Sequence, residues 1–293
     1  MTPLKQKMEA DLRLRNLSSG TRDHYLRCVA RYARYFGCSP SQLGTAEVRA
    51  FLLHLAALGR APATQVVYHA ALRFLYTETL GRPEVMATVP RPRVPYRPPR
   101  RPLVKAEARA LLDAAAEAGR PFDYTVIATL LATGLRVSEA CHLRPADIDS
   151  RAGLVHVRCG KGGKARSVQL GDRLLRLLRR YWVVERPGRQ WLFPAQRLVA
   201  PGQVDPHRRW ASHPISTDTV RDRLRRLARS AGLDRGVTPH DLRRTYATWL
   251  LEAGENLRVV QVLLGHASPE TTAIYTRVGP ELIRRVPSPL QVL

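Results

Sequence analysis

Apolar residues recur at helical spacing through most of the first 90 residues, which predicts a small helical bundle. Two sets follow this spacing: Tyr25, Cys28, Val29, Tyr32 and Phe36, and then Val48, Phe51, Leu52, Leu55 and Leu58. A third segment, 64–80, repeats the pattern. Because the aromatic residues share these positions with aliphatic ones, we expect them in the core of the bundle and not on a base-stacking surface.

The rest of the chain combines helical patterns with a predicted β-hairpin. An apolar run over 124–131 is followed by a turn at Gly134 that opens a second helix, with Arg136 at its start. Residues 154–159 and 166–170 have the composition of strands, and the glycine-rich segment 160–164 between them is typical of a hairpin turn. The predicted fold class is therefore mainly α with a small antiparallel β-sheet.

A further helix start, at Thr238 and Pro239, carries two cationic side chains. Thr238 is a suitable N-cap, and Pro239 suits the first helical position because no N–H is needed there. His240 and Arg243 then share one face. The inner side of the helix is apolar: Leu242, Tyr246, Trp249 and Leu250. Because helix N-termini attract anions, we expect a phosphate at this one.

A histidine and a tyrosine follow within the last 30 residues. Ser268 and Pro269 repeat the helix-start signal, so Tyr275 is predicted on a short helix just after the turn that contains His266. A phenol is a weak nucleophile near neutral pH and needs nearby positive charge and a proton acceptor. The two histidines and Arg243 could supply both.

Two lysines, Lys161 and Lys164, lie at the tip of the predicted hairpin. The chain has 43 arginines and only 5 lysines. An arginine keeps its proton under ordinary conditions, whereas an amine can release one when its pKa is lowered. A lysine at this tip is therefore a candidate proton donor to a leaving oxygen, and a solvated basic turn is the equal alternative.

These motifs, taken in order, resemble those of the tyrosine recombinases of the phage integrase and Xer kind. The six catalytic positions of that family are matched by Arg136, Lys161, His240, Arg243, His266 and Tyr275. The resemblance implies that Arg136 and Arg243 clamp the scissile phosphate and that His266 donates to a non-bridging oxygen. It also implies that Lys161 protonates the departing 5′-oxygen, that His240 assists proton transfer, and that Tyr275 attacks to form a 3′-phosphotyrosyl link.

The resemblance extends to the whole organisation of the chain. It implies a helical N-terminal core-binding domain at 1–90, a linker at 91–102 and a catalytic domain at 103–293. The implied activity is site-specific recombination of double-stranded DNA by a homotetramer on paired sites, without a metal, ATP or another cofactor. Two departures stand out: Arg244 replaces a histidine found in many relatives, and the tail 279–293 contains three prolines that permit only a short helix.

The charge of the chain also favours DNA as the partner. The formal net charge is +24, and each of the three predicted segments has more basic than acidic residues. The linker contains five prolines, five arginines and no acidic residue, so it is predicted to be extended. It is either a strap along the DNA backbone or a spacer. The candidate DNA contacts are Arg97, Arg100, Lys164, Arg221, Arg225 and Arg229.

Arg221, Arg225 and Arg229 form one stripe of a predicted helix over 217–230, with a solvated basic face as the competing interpretation. No apolar run approaches membrane-spanning length, so we expect a cytoplasmic protein associated with DNA. The four cysteines form no C-x-x-C pair, which argues against zinc. Two other functions remain open: a DNA-relaxing enzyme resembling type IB topoisomerases, and a non-catalytic DNA-binding regulator.

Overall fold

The computed structural model describes residues 2–96, 100–158, 165–196 and 210–265. The chain divides into two compact units, Met1–Pro99 and Arg100–Leu293. The finer division into a domain at 1–90, a linker at 91–102 and a catalytic domain at 103–293 stays a prediction. Among the described residues, no helix combines the length and the apolar character needed to cross a membrane.

The first unit is helical throughout its regular structure. Its α-helices are α1 (Pro3–Leu14), α2 (Ser19–Phe36), α3 (Thr45–Ala57), α4 (Pro62–Phe74) and α5 (Glu84–Ala87). A π-helical turn, Leu75–Thr79, extends α4. The helix starts follow local chemistry, since the Ser18 side chain accepts a hydrogen bond from the Thr21 N–H at the start of α2. The predicted helical bundle is confirmed.

Aromatic residues fill the core of this unit, as their helical spacing predicted. Tyr32, Phe51 and Tyr76 are almost fully buried. The Tyr32 and Tyr76 hydroxyls lie 3.1 Å apart, and the Tyr76 hydroxyl also donates to the Pro40 carbonyl at 3.0 Å. Leu58 shares the apolar spacing but lies just beyond the end of α3, where it is exposed.

The second unit contains seven α-helices and five strands within its described residues. The helices are α6 (Lys105–Glu117), α7 (Pro121–Thr133), α8 (Val137–Cys141), α9 (Asp172–Glu185), α10 (Thr217–Ser230), α11 (Pro239–Glu252) and α12 (Leu257–Leu264). The strands are β1 (Ile148–Asp149), β2 (Leu154–Val157), β3 (Arg166–Gln169), β4 (Pro194–Gln196) and β5 (Trp210–Pro214).

Two small antiparallel sheets are present in the described part of this unit. Strands β1, β2 and β3 form one sheet in that order, and the register of the hairpin pairs Leu154 with Gln169 and Val157 with Arg166. This confirms the predicted hairpin. Strands β4 and β5 form a second sheet that the sequence analysis did not predict.

Helix α7 lies at the centre of the unit and sets the position of the site. Pro121 occupies its first turn, and almost every residue from Phe122 onward is buried, because α6, α9 and α11 pack around it. Gly134 ends the helix in the left-handed conformation, with φ of 61°. The chain therefore turns sharply there, and Arg136 follows at the start of α8.

Candidate active site

Both predicted catalytic arginines, Arg136 and Arg243, line the same cavity. Its volume is about 420 Å³, and it lies where the start of α8, the start of α11 and one face of α10 meet. The lining residues are Arg136, Val137, Ser138, Arg221, Thr238, Pro239, His240 and Arg243. Three of the six predicted catalytic residues, Arg136, His240 and Arg243, are thus brought together, with the candidate DNA contact Arg221.

Gly134 is the residue that brings the end of α7 against α11. A Cβ atom on Gly134 would lie 2.3 Å from the ring of the buried Tyr246, and the positive φ is itself unfavourable for other residues. The Gly134 carbonyl accepts a hydrogen bond of 2.8 Å from Nη1 of Arg243. The absence of a side chain therefore lets the backbone approach closely enough to orient an arginine of the site.

We expect Gly134→Ala to destabilise the protein by about 3 kcal/mol, because it adds a left-handed backbone penalty to a clash with the Tyr246 ring. Gly119→Ala is the matched control: its φ is similar, at 61°, but a Cβ atom there meets nothing within 4 Å. Denaturant unfolding of both variants measures the difference. Equal losses of stability would show that the contact with Tyr246 is unimportant.

Arg243 is buried and is held by backbone carbonyls. Besides the Gly134 carbonyl, it donates from Nη2 to the Leu264 carbonyl at the end of α12. Burial, and then the positive charges of Arg136 and Arg166, lower the pKa of Arg243 from 12.5 to about 10. The side chain therefore keeps its charge at neutral pH. Within the described residues, these bonds use two of the five N–H donors of the guanidinium.

Arg136 occupies the N-cap position of α8 and is partly open to solvent. Its backbone N–H donates to Oε2 of Glu139 at 2.8 Å, and its Nη1 donates to Oε1 of the same carboxylate at 2.8 Å. Nη2 donates to the Gly265 carbonyl at 3.0 Å. The side chain is 26% exposed, so the guanidinium is fixed on one side and accessible on the other.

Glu139 and Arg166 complete this cluster, although neither was predicted as a site residue. Arg166 donates from Nη1 and Nη2 to the two oxygens of the Glu139 carboxylate, at 2.9 and 2.7 Å. Burial alone would raise the pKa of Glu139, but the hydrogen bonds and charges of Arg166 and Arg136 lower it to about 2. The carboxylate is thus ionised at neutral pH, where it lies among cations.

A local signal for Glu139 was present in the sequence. It stands three residues after the N-cap residue Arg136, the spacing at which a glutamate reaches back to the start of its helix. Arg166 offered no such signal, because a basic residue at the start of a hairpin strand is as readily solvated as buried. Its inward position depends on packing against α12, which the sequence pattern does not reveal.

His240 lies in the first turn of α11, where the sequence predicted it. Thr238 caps this helix, and the Asp241 carboxylate accepts a 2.9 Å hydrogen bond from the Thr238 N–H in return. The predicted helix start is therefore confirmed. His240 is exposed at the cavity and lies one turn before the buried Arg243. Together they place an imidazole and a guanidinium beside a helix N-terminus, which suits an anion.

The three arginines predicted on α10 have different surroundings. Arg221 lines the cavity, with Nη1 bonded to Oδ1 of Asp218 at 2.5 Å. Arg225 is paired with Asp222 at 2.7 Å, and Arg229 is exposed near the end of the helix. Neither lines the cavity. The α10 stripe therefore includes one residue near the site and two farther along an exposed surface.

Arg100 and Arg244 stabilise the start of this unit instead of lining the cavity. Arg100 donates from Nη1 to the Gly236 carbonyl at 3.2 Å, and this nitrogen lies 3.9 Å from the Asp241 carboxylate. Arg244 donates to the Arg100 carbonyl. Arg244 therefore binds backbone and adds no cation to the cavity.

Five predicted residues lie outside the described residues. They are Lys161 and Lys164 of the hairpin tip, His266 and Tyr275 near the C-terminus, and Arg97 of the linker. The described part of this unit ends at Gly265, whose carbonyl is bound by Arg136. The described site is therefore a set of cations able to hold a phosphodiester, and the assignment of a nucleophile stays a prediction.

Comparison with known proteins identifies the family. The phage integrase family model matches residues 101–281, and a phage integrase N-terminal SAM-like domain matches residues 4–84. The integrase/recombinase y4qK of Sinorhizobium fredii is 38% identical over 296 residues, covering 100% of this chain and 90% of that protein. Tyrosine recombinase XerA of Thermococcus kodakarensis is 32% identical over 280 residues, covering 96% and 92%.

The fold agrees with solved members of the same family. A λ integrase tetramer bound to a Holliday junction matches with a TM-score of 0.71 and 20% identity, over 90% of this chain and 76% of that one. The chain belongs to the phage integrase family of tyrosine recombinases, enzymes that cleave and rejoin DNA strands.

Proposed function

We propose that this protein is a site-specific recombinase that cuts and rejoins DNA through a 3′-phosphotyrosyl intermediate, without a metal or ATP. The observation that carries the proposal is that Arg136 and Arg243 line one cavity together with His240. Two guanidiniums that line one cavity suit the non-bridging oxygens of a phosphodiester. Catalysis of phosphoryl transfer depends mostly on such positioning and charge stabilisation.

The proposed reaction is an exchange at phosphorus. The Tyr275 oxygen attacks, a bond from that oxygen to phosphorus forms, and the bond to the 5′-oxygen breaks. Lys161 gives its proton to the departing oxygen, His266 donates to a non-bridging oxygen, and His240 assists removal of the phenol proton. Because the phosphotyrosyl bond conserves the energy of the phosphodiester, a free 5′-hydroxyl can reverse the step and rejoin strands.

The proposed substrate is double-stranded DNA, held by a homotetramer on paired sites. The net charge of +24 favours a long polyanion, and solved relatives include λ integrase as a tetramer on a Holliday junction and XerH bound to difH. We assign residues 1–90 to core binding, 91–102 to a linker that carries Arg97 and Arg100, and 103–293 to catalysis.

Trapping of a covalent adduct tests this function. DNA sites are first selected from a randomised duplex pool by binding to the protein, and are then rebuilt with a nick so that cleavage releases a short fragment and cannot be reversed. The wild-type protein should form an adduct that survives denaturation by detergent, and Tyr275→Phe should bind the same DNA without forming it. Lys161→Ala should slow adduct formation, because no proton donor then remains at this position for the departing 5′-oxygen.

The same assay separates the two alternative functions. Binding to the selected sites with no adduct would identify a DNA-binding regulator and would exclude the proposed enzyme. Adducts on arbitrary DNA, together with relaxation of supercoiled plasmid, would favour a topoisomerase of the type IB kind. Adducts confined to selected sites, followed by strand exchange between two such duplexes, are the expected result.

Arg221 is proposed to contact a DNA phosphate next to the one that is cleaved, because it lines the same cavity from α10. Arg221→Ala should lower DNA affinity and reduce the slope of log affinity against log salt by about 1. Arg176→Ala, at an exposed position of α9 that does not line the cavity, is the control. An unchanged salt slope in Arg221→Ala would remove this contact from the proposal.

A further inference from the structure

Arg166 does not line the cavity but contacts residues that hold Arg136 in place. It is the first residue of β3, and its side chain is only 8% exposed, so it is poorly placed to reach DNA. Its Nε donates to the Leu263 carbonyl at 2.8 Å, while both terminal nitrogens bind the Glu139 carboxylate. One buried guanidinium therefore joins the hairpin strand β3, the start of α8 and the end of α12.

Three consecutive carbonyls at the end of α12 accept hydrogen bonds from three different arginines. Leu263 accepts from Arg166 at 2.8 Å, Leu264 accepts from Arg243, and Gly265 accepts from Arg136 at 3.0 Å. The last carbonyls of a helix have no partner within the helix and carry partial negative charge, so they attract cations. This end of α12 leads directly into residue 266.

The packing around Arg166 is tight enough to fix these distances. A Cβ atom on Gly265 would lie 3.0 Å from Cδ of Arg166, and the φ of Gly265 is 62°, a value that favours glycine. Glu139 accepts four hydrogen bonds in all, two from Arg166 and two from Arg136. The position of the Arg136 guanidinium is thus set through Glu139 by a residue that does not line the cavity.

We propose that Arg166 is a positioning residue for strand cleavage: through Glu139 and the Leu263 carbonyl, it fixes the Arg136 guanidinium and the end of α12 relative to the phosphate. This inference rests on the proposed function, because it assigns Arg136 to the scissile phosphate. These contacts with Glu139 and the Leu263 carbonyl require the planar, forked guanidinium group of an arginine. The single ammonium of a lysine cannot bind both carboxylate oxygens and a separate carbonyl in the same geometry.

The test compares cleavage rate with DNA affinity in Arg166→Met and Arg166→Lys. Single-turnover adduct formation at saturating nicked duplex should slow about 100-fold in both variants, as expected for a misplaced catalytic group, while DNA affinity stays unchanged. Arg166→Lys should regain thermal stability relative to Arg166→Met, since it restores a cation beside Glu139, but it should not regain the cleavage rate. If Arg166→Met unfolds at the assay temperature, the cleavage rate and DNA affinity of Arg166→Lys are compared with those of the wild type.

Arg223→Met is the matched control. Arg223 is also a largely buried arginine of this unit, 14% exposed and paired with the buried Asp123, but it does not line the cavity or contact Glu139. It should lose stability and keep the cleavage rate. A loss of rate equal to that of Arg166→Met would reduce the role of Arg166 to general stability.

A double-mutant cycle with Arg136→Ala gives the decisive result. If Arg166 acts by placing Arg136, its removal should have little further effect on the cleavage rate once Arg136 is absent. Full additivity of the two losses, or a wild-type rate in Arg166→Met, would overturn the inference. A wild-type protein that forms no adduct would instead overturn the proposed function, so the two failures are distinguishable.

Discussion

Replacing Arg243 by alanine is expected to reduce the rate of DNA cleavage by about 10³-fold or more, the effect of removing an arginine that stabilises a phosphoryl-transfer transition state. Arg243 lines the cavity, and its guanidinium donates hydrogen bonds to the backbone carbonyls of Gly134 and Leu264. Its guanidinium is therefore oriented before DNA binds. Single-turnover adduct formation at saturating DNA measures the effect, with Arg243→Lys as a second variant that keeps the charge but not the fork.

Arg244→Ala is the control for Arg243. The two residues are adjacent in α11, but Arg244 donates to the Arg100 carbonyl and does not line the cavity. Its removal should lower stability modestly and leave the cleavage rate close to that of the wild type. Equal rates in folded Arg243→Ala and Arg244→Ala would contradict the assignment of Arg243 to the phosphate.

The second large effect is expected at Glu139. The pKa of this carboxyl is lowered from 4.5 to about 2, which corresponds to about 3 kcal/mol of stability at neutral pH. Because the pKa is lower in the folded state, this stabilisation is complete above about pH 4.5 and is lost as the pH falls towards about 2. Glu139→Gln should therefore be destabilised by about 3 kcal/mol at pH 7, and the difference should shrink through that range.

The variant should also lose cleavage activity, because Glu139 is the anion that holds the Arg136 guanidinium and offsets three neighbouring positive charges. Glu107→Gln is the control. Glu107 likewise bonds back to the start of its helix and pairs with an arginine, Arg101, but this arginine is exposed and neither residue lines the cavity. A loss of about 1 kcal/mol or less is expected there. Denaturant unfolding from pH 7 to pH 3 separates the two.

Local rules explain how much of the site was predictable. The left-handed turn after α7 follows from Gly134, and the start of α11 follows from Thr238 and Pro239. A capping residue or a glycine turn determines the backbone conformation of the few residues next to it. These rules therefore place Arg136 and Arg243 at helix starts. That both arginines line one cavity depends on the packing of α7 against α11, which the apolar spacing of α11 suggested only in outline.

Long-range contacts explain what was not predicted. The inward position of Arg166 depends on the Leu263 carbonyl, 97 positions later in the chain. Strand β5 pairs with β4 across a connection of 13 residues, which is too long for a tight hairpin turn to fix the pairing. Arg244 binds a backbone carbonyl 144 positions earlier, a partner that its place in the helix pattern does not indicate. The spacing of residue types predicts contacts between residues that are close together in the sequence. The partners of Arg166, β5 and Arg244 are far from them in the sequence.

The most direct test of the proposed mechanism is to identify the amino acid that becomes attached to DNA. The wild-type protein is trapped on a selected nicked duplex, the adduct is digested with protease and nuclease, and the remaining peptide is sequenced by mass spectrometry. We expect a single modified residue, Tyr275, that carries a nucleotide through its 3′-phosphate. Attachment to any other residue, or through a 5′-phosphate, would contradict the proposed mechanism, in which Tyr275 attacks the phosphate that Arg136 and Arg243 hold.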